Sequence, residues 1–322
     1  MAPEIKPIVI VSRCLGFDHC RYNGQMIAAP FIQRLGEFVE YIPVCPEVEI
    51  GLGVPRDPIR IVNEKERTIL FQPATGRDVT EAMIGFVHKY IGQIDQVDGF
   101  ILKNRSPSCG IHDVKIYTGM EKGASIKKGS GFFGGAVTDR FHGLPIEDEG
   151  RLTNFSIREH FLIRLFTLSR FRRMKKERSM KALVDFQSRH KYLLLSYNEF
   201  RYRQCGRIVA NHEKQEIDQV LEMYEQELKL VFQRIPKTAS MINTILHLFG
   251  GISKYLSADE KRFFLNTVEE YRDERIPLST LNYLIHAHAI RFNVRFLLEQ
   301  VFIDPYPKSL LDISDSGKGR DY

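Results

Sequence analysis

Three short apolar runs, each cut off by a polar loop, set the pattern of the first half of the chain. Ile8–Ser12 runs through Arg13 into Cys14. The run from Phe38 to Val44, closed by Pro43 and Pro46, stops at Cys45. The third, DGFILKNRSPS, leads from Asp98 into Cys109. Apolar stretches of about four to eight residues bounded by Gly, Pro and Ser are the pattern of buried strands. Between them the spacing turns helical: Met26 to Glu40 carries Met26, Ile27, Phe31, Ile32, Leu35 and Phe38, and VTEAMIGFVHKYIGQI follows with Thr80 as its N-cap. Ile59–Val62 and Thr68–Phe71 read as a small hairpin, GSGFFGGAV around Gly129–Gly135 as a flexible loop, and GLPIEDEGRL as a last edge strand. From Asn154 the helical period is continuous. The pattern predicts an α/β domain, Rossmann-like with a mostly parallel sheet, followed by an all-α domain. The boundaries fall at 1–153, a basic helical connector at 154–181, and 182–322.

The helical half is punctuated by recognisable signals. MINTILHLFGGI ends at Gly250–Gly251, and Ser257 with Glu260 has the spacing of a capping box. The tail SDSGKGRDY is polar and frays. His286 and His288, two apart on a helix, face different ways and make no metal pair; Cys205 is structural.

Composition narrows the classes. A chain of 322 residues, 43% of them hydrophobic, buries an ample core in two domains. The polar start MAPEIKP is no signal peptide, and no run approaches the ~18 apolar residues of a membrane span. A cytosolic, reducing setting follows, in which five cysteines serve as thiols, metal ligands or nucleophiles rather than as a disulfide framework. The net charge of +6 is unevenly spread: residues 151–214 hold sixteen Lys and Arg against five Asp and Glu. Such a concentration is either a solvated helical surface or the footprint of a nucleic-acid binder.

Cys14, Cys45 and Cys109 share one context, a strand end followed by a Gly/Pro/Ser loop. If the strands lie parallel in one sheet, these thiols converge where open α/β sheets bind ligands. The pattern points to a three-thiolate metal site, for zinc or an iron–sulfur cluster. No C-x-x-C pair exists, which counts against a zinc ribbon or a thioredoxin-type dithiol. Cys20 leaves a closed four-thiolate site open as an alternative. Glu47, two residues past Cys45, is placed as a proton acceptor for water, or else is a loop carboxylate paired with Arg56. Ser106 and Ser108 are nearby hydroxyls. GSGFFGGAV lacks the order of a P-loop.

At these residues the chain resembles a known family. SRCLGFDHCRYNG, PVCPEVEIGLGVPR and LKNRSPSCG look like the three signature segments of the TudS-type thiouracil desulfidases. The second half is similar to YbgA-like domains through FQSRHKYLLLSYNEFRYRQCGRIVANHEK and RIPLSTLNYLI, a fused arrangement like the RudS-like tRNA 4-thiouridine desulfidases. The resemblance implies a 4Fe–4S cluster on Cys14, Cys45 and Cys109, whose open iron takes the thiocarbonyl sulfur. It implies Glu47 and Ser106 as the groups that help water attack the ring carbon, with no net electron transfer. Arg21, Tyr22, Asn23, Arg56, Lys103 and Ser108, all within the signature segments, are then the substrate-binding candidates. The chain departs from the family in reading CLGF for CLLG and Asn23 for Asp, and Cys20 is taken as non-ligating. The expected partner is tRNA carrying 4-thiouridine, with no membrane involved. The cationic stretch supplies Arg170, Arg172, Arg173, Lys175, Lys176, Arg189, Lys191, Arg201, Arg203 and Arg207, interleaved with Tyr192, Tyr197 and Tyr202. The rivals are a desulfidase of free thiouracil or thionucleotides, and a non-catalytic iron–sulfur RNA sensor with Cys20 as fourth ligand.

Overall fold

A computed structural model describes residues 6–64, 67–119 and 125–313; the polar tail from Ser314 lies outside them. The described residues divide into two compact units, one formed by residues 6–165 together with 309–313, the other by Phe166–Lys308.

In the first unit the elements alternate. In chain order they are β1 (Ile8–Ser12), α1 (Pro30–Leu35), β2 (Glu40–Val44), α2 (Pro46–Glu49), β3 (Arg60–Glu64) and β4 (Arg67–Gln72). Then come β5 (Arg77–Asp78), α3 (Thr80–Gly92), β6 (Gly99–Leu102), β7 (Val114–Tyr117), β8 (Ser125–Gly129), α4 (Phe132–Arg140) and β9 (Ile146–Asp148). The expected α/β sheet is present, and it is all parallel, in the order β2-β1-β6-β9. β1 and β6 are buried nearly throughout, which is why they read as unbroken apolar runs rather than alternating ones. Pro43 lies inside β2 instead of ending it; β2 is an edge strand, where a missing N–H is tolerated. The expected edge strand at the end of the domain is β9.

A second sheet, β5-β4-β3-β7-β8, was not anticipated as a unit. The hairpin β3–β4 is antiparallel as expected, but β3 also pairs in parallel with β7, recruiting the excursion into a mixed sheet. One apolar core joins residues of both sheets and of α3 and α4, including Ile10, Phe100, Leu70, Met83 and Phe133. Each such side chain, fully buried, contributes about 1.5–3 kcal/mol.

Local readings needed correction where a single residue overrode the period. The helix expected from Met26 to Glu40 is only α1, because Pro30 fixes its first turn and Gly36 ends it. Residues 26–29 instead line up with the preceding loop, the Ile27 N–H donating to the Cys14 carbonyl. Thr80 opens α3 as its first residue, not its cap; Asp78 Oδ1 accepts from the Thr80 amide, and Thr80 Oγ1 accepts from the Leu70 amide. Gly129–Gly135 is no flexible loop but the end of β8 and the start of α4.

From α5 (Phe155–Lys175) onward the chain is helical: α6 (Met180–Tyr197), α7 (Glu199–Ala210), α8 (Ile217–Val231), α9 (Thr238–Ile252), α10 (Ala258–Arg272), α11 (Leu278–Arg291) and α12 (Arg295–Leu298). Side-chain caps at Ser179 and Asn198 start α6 and α7, and the Ser257–Glu260 capping box starts α10. α9 runs through Gly250 and Gly251 rather than ending there, and at Gly251 a Cβ would press on the Leu297 side chain at 3.3 Å. Tyr224, Phe232 and Phe264 anchor the core of this unit, with Phe171 stacked on Tyr224 at 5.4 Å. Among the described residues no helix is long and apolar enough to cross a membrane.

His190 of α6 sits in this core, its ring stacked on Phe186 at 3.8 Å and its Nδ1 2.8 Å from the Phe186 carbonyl. Burial drives its pKa down to about 3, so it folds in the neutral form. Because the unfolded chain binds the proton from about pH 6.5 downward, this group withdraws stability as the pH falls from 6.5 towards 3. His190→Leu is therefore expected to flatten the acid limb of the stability–pH curve over that range, measured by urea unfolding at pH 7 and pH 5.

Candidate functional site

Because β2, β1 and β6 are adjacent and parallel, with Ser12 opposite Val44 and Val11 opposite Ile101, their carboxyl ends stand at one level. The next few residues of each strand therefore face a common space. Cys14, Cys45 and Cys109 line one cavity of about 420 Å³. Cys20, set apart as non-ligating from sequence, lines it too. Cys45 Sγ lies 3.9 Å from the Cys20 carbonyl oxygen. Cys20, Cys45 and Cys109 are buried, Cys14 is half-buried, and all four are free thiols.

Each thiol is held in place by its local structure. Cys45 is the N-cap residue of α2, whose first helical position is Pro46. Cys109 rides on the loop Ser106–Gly110, and α4 braces that loop from below. The Phe132 amide donates to the Pro107 carbonyl, those of Phe133 and Gly134 to Ser108, and that of Gly131 to Gly110. The four orphan donors of a helix start are thus satisfied by the loop that carries the cysteine. Glycine is required for this approach: a Cβ on Gly134 would lie 2.4 Å from the Cys109 and Gly110 carbonyl oxygens, and one on Gly131 2.6 Å from that of Ser108. Burial pushes the Cys109 thiol up to about 12, offset in part by hydrogen bonds from Ser12 and Ser108. The contact with Cys14 foremost pushes Cys20 up to about 11, and the contact with Cys20 together with burial pushes Cys45 up as well.

Beside the thiols, Glu47 has both carboxylate oxygens engaged. Arg56 donates to Oε2 from Nε at 2.9 Å and Nη2 at 2.6 Å, and Ser108 Oγ donates to Oε1 at 2.7 Å. The two sequence readings of Glu47 both hold: it is paired with Arg56, and it lines the cavity. The Arg56 side chain is 4% exposed, and its Nη1 also donates to the carbonyls of Cys20 and Gly53. Ser106 Oγ lies 3.0 Å from Ser108 Oγ and accepts from the Cys109 amide, so Ser106 reaches Glu47 through Ser108. Lys103 lines the cavity wall, its ammonium bonded to Glu149 and Asn104.

Of the substrate-binding candidates, Arg21, Tyr22, Arg56, Lys103 and Ser108 line the cavity. Asn23 does not: it turns on itself, Oδ1 accepting from the Gln25 amide and Nδ2 donating to Gln25 Oε1. Ser12 and Glu149 were missed. Ser12 Oγ accepts from the Lys103 amide while its hydroxyl serves Cys109, and Glu149 holds both Lys103 and the Asn104 amide. Ser12 is the last residue of a strand carrying no motif of its own, and Glu149 comes from beyond β9, so only strand pairing brings them in.

In the helical unit the cationic stretch is less free than its composition suggests. Lys175 pairs with Glu225, Arg201 with Glu227 and Arg203 with Glu199, and Arg170 donates to the Pro305 carbonyl. Lys191 sits over the rings of Tyr192 and Phe296, and Arg172 makes an interaction of its own. Among the described residues Arg173, Lys176, Arg189 and Arg207 have no carboxylate partner. Tyr192 is buried and Tyr197 packs on Phe232.

Fold and site together define an α/β enzyme domain with a cysteine-lined centre at the carboxyl ends of a parallel sheet, joined to a helical unit. Residues 9–149 match the family model described as 2-thiouracil desulfurase, and residues 191–307 that of a protein of unknown function, DUF1722. The uncharacterized protein YbbK of Bacillus subtilis (strain 168) is 34% identical over 131 residues, 38% of this chain and 85% of that protein. The uncharacterized protein YbgA of Escherichia coli (strain K12) is 24% identical over 158 residues, 48% of this chain and 93% of that protein. A solved structure titled as the 4Fe–4S-dependent thiouracil desulfidase TudS is 31% identical, covering 46% of this chain and 93% of that one, with a TM-score of 0.37. The chain belongs to the 2-thiouracil desulfurase family.

Removing Arg56 leaves Glu47 as a nearly buried, unpaired carboxylate and the Cys20 loop without its clamp. Arg56→Met is expected to destabilise the protein by about 3–5 kcal/mol, whereas replacing both partners, Arg56→Met with Glu47→Gln, restores most of that loss. Urea unfolding of the two variants checks this.

Proposed function

We propose that this protein removes sulfur from a thiolated uracil base, with 4-thiouridine in tRNA as its substrate, releasing sulfide and leaving uridine. The observation that carries this reading is the convergence of three thiols, from the loops that follow β1, β2 and β6, on one cavity beside the nearly buried carboxylate of Glu47. Among the described residues no three Cys, His, Asp or Glu side chains are arranged to hold a single metal ion. A 4Fe–4S cluster asks something different, one thiolate to each iron it anchors, and the soft donors here suit it. Cys14, Cys45 and Cys109 would hold it. When bound, such a cluster supplies a soft Lewis acid for a thiocarbonyl sulfur.

The chain's own residues do the rest. Two N–H groups of Arg56 on Oε2 fix the direction of Glu47 and leave Oε1 as the proton acceptor for a water placed against the ring carbon. Ser108, bonded to that same oxygen, and Ser106 behind it form a hydroxyl chain along which the proton is passed to the departing sulfur. Water replaces sulfur at carbon, so no electrons are gained or lost overall. Tyr22, exposed on the wall beside Arg21, offers a face for the base. In the helical unit Arg173, Lys176, Arg189 and Arg207 are the cations left for phosphate contacts. A reducing, cytosolic setting suits both the thiols and the substrate.

The test is anaerobic reconstitution, counting iron and sulfide, followed by loss of 4-thiouridine absorbance in thiolated tRNA. Glu47→Gln is expected to keep the iron and lose about 10²–10⁴-fold in turnover. Full turnover in that variant overturns the role of Glu47, and activity in Cys45→Ala overturns the site.

Charge reversal of Arg173, Lys176, Arg189 and Arg207 together is expected to weaken tRNA binding and flatten its salt dependence, leaving turnover of a free 4-thiouridine nucleotide unchanged. Unaltered tRNA binding would make the free nucleotide the substrate instead.

A further inference from the structure

Cys20 is a thiol for which the desulfurization chemistry has no use. It comes from the loop between β1 and α1 rather than from a strand end, yet it is 2% exposed and stands among the other thiols of the cavity. Two contacts fix its backbone there, Arg56 Nη1 donating to its carbonyl at 3.0 Å and Cys45 Sγ approaching that carbonyl at 3.9 Å. Cys14 and Cys45 line the same cavity wall, and Cys14 is the neighbour that acts most strongly on the Cys20 thiol. Of the four thiols only Cys14 is not buried, so a small oxidant entering the cavity meets it first.

We propose that Cys20 is a resolving thiol, and that in the iron-free protein hydrogen peroxide converts Cys14 and Cys20 into a reversible disulfide. The Cys14 sulfur attacks one peroxide oxygen; an S–O bond forms, the O–O bond breaks, and the departing hydroxide leaves as water with the Cys14 proton. The Cys20 sulfur then attacks the sulfenic sulfur; the S–S bond forms, the S–O bond breaks, and the second oxygen leaves as water with the Cys20 proton. Two thiols give up two electrons and the peroxide takes them. Without a neighbouring thiol the sulfenic acid goes on to the sulfinic acid, which common reductants do not reverse. The disulfide withdraws one strand-end donor from the site until a dithiol returns it. Its formation rests only on the thiol cluster; the consequence for iron rests on the cluster reading above.

The experiment treats the full-length, iron-free protein with excess hydrogen peroxide and maps it by mass. Trypsin leaves Cys14 and Cys20 together on the peptide Cys14–Arg21, with Cys45 on another. In the wild type that peptide is expected about 2 Da lighter, and restored by dithiothreitol. In Cys20→Ser, Cys14 is expected to gain about 32 Da or more instead, and dithiothreitol is expected not to reverse it. Sulfinic or sulfonic acid at Cys14 of the wild type, or a cross-link joining this peptide to the one with Cys45, would overturn the assignment. Should Cys20→Ser not fold, the wild-type map alone decides. Peroxide-treated protein is further expected to take up no iron with ferrous iron and sulfide until reduced. If the untreated protein takes up none either, the cluster reading fails while the disulfide stands or falls on the mass map.

Discussion

Everything chemical in this protein depends on three adjacent parallel strands ending in phase. Parallel pairing fixes which residues lie opposite one another, so the exits of β2, β1 and β6 are at one height. Chain segments far apart in sequence then share a few ångströms of space without any contact specifying it directly. A slip of one residue in any pairing would invert the strand's buried and exposed faces and shift the loop that carries each thiol. The deep burial of β1 and β6 makes such a slip expensive, and the sheet is in that sense part of the site.

On that platform the side chains are organised by sharing partners. Arg56 serves Glu47 and the Cys20 carbonyl at once, Ser108 serves Glu47 and Cys109, and Ser12 serves Lys103 and Cys109. The result is one connected polar network inside a largely apolar domain. Such networks stabilise when every member is satisfied and become costly when one is removed. Satisfaction here comes from two Arg56 N–H groups on one Glu47 oxygen with Ser108 on the other, and from the tight seating of α4 beneath the Cys109 loop.

Much of this was legible in the sequence, and what was not has identifiable causes. The strands and the convergence of Cys14, Cys45 and Cys109 followed from apolar runs ending alike, since a buried parallel strand leaves little choice of pattern. Glu47, Ser106 and Ser108 came to notice through their places beside Cys45 and Cys109, and the resemblance gave Glu47 and Ser106 their roles, but nothing in the sequence showed that Ser108 stands between the other two. Glycine content misled at Gly129–Gly135, where the absence of side chains serves close packing rather than mobility. Asn23 was drawn into the site by its neighbours in the motif, although its own side chain closes a turn. Charge counting overstated the cationic surface of the helical unit because Glu225 and Glu227 lie beyond the window and fold back onto Lys175 and Arg201.

The double duty of Arg56 has an evolutionary consequence. One guanidinium fixes both the acid and the carbonyl of the extra cysteine, so neither can drift alone. A lineage that lost the carboxylate would strand a cation in a dry interior, and one that lost the cation would loosen the cysteine loop as well. Change at this spot is therefore expected in paired steps, with the acid and its partner gained, lost or exchanged together.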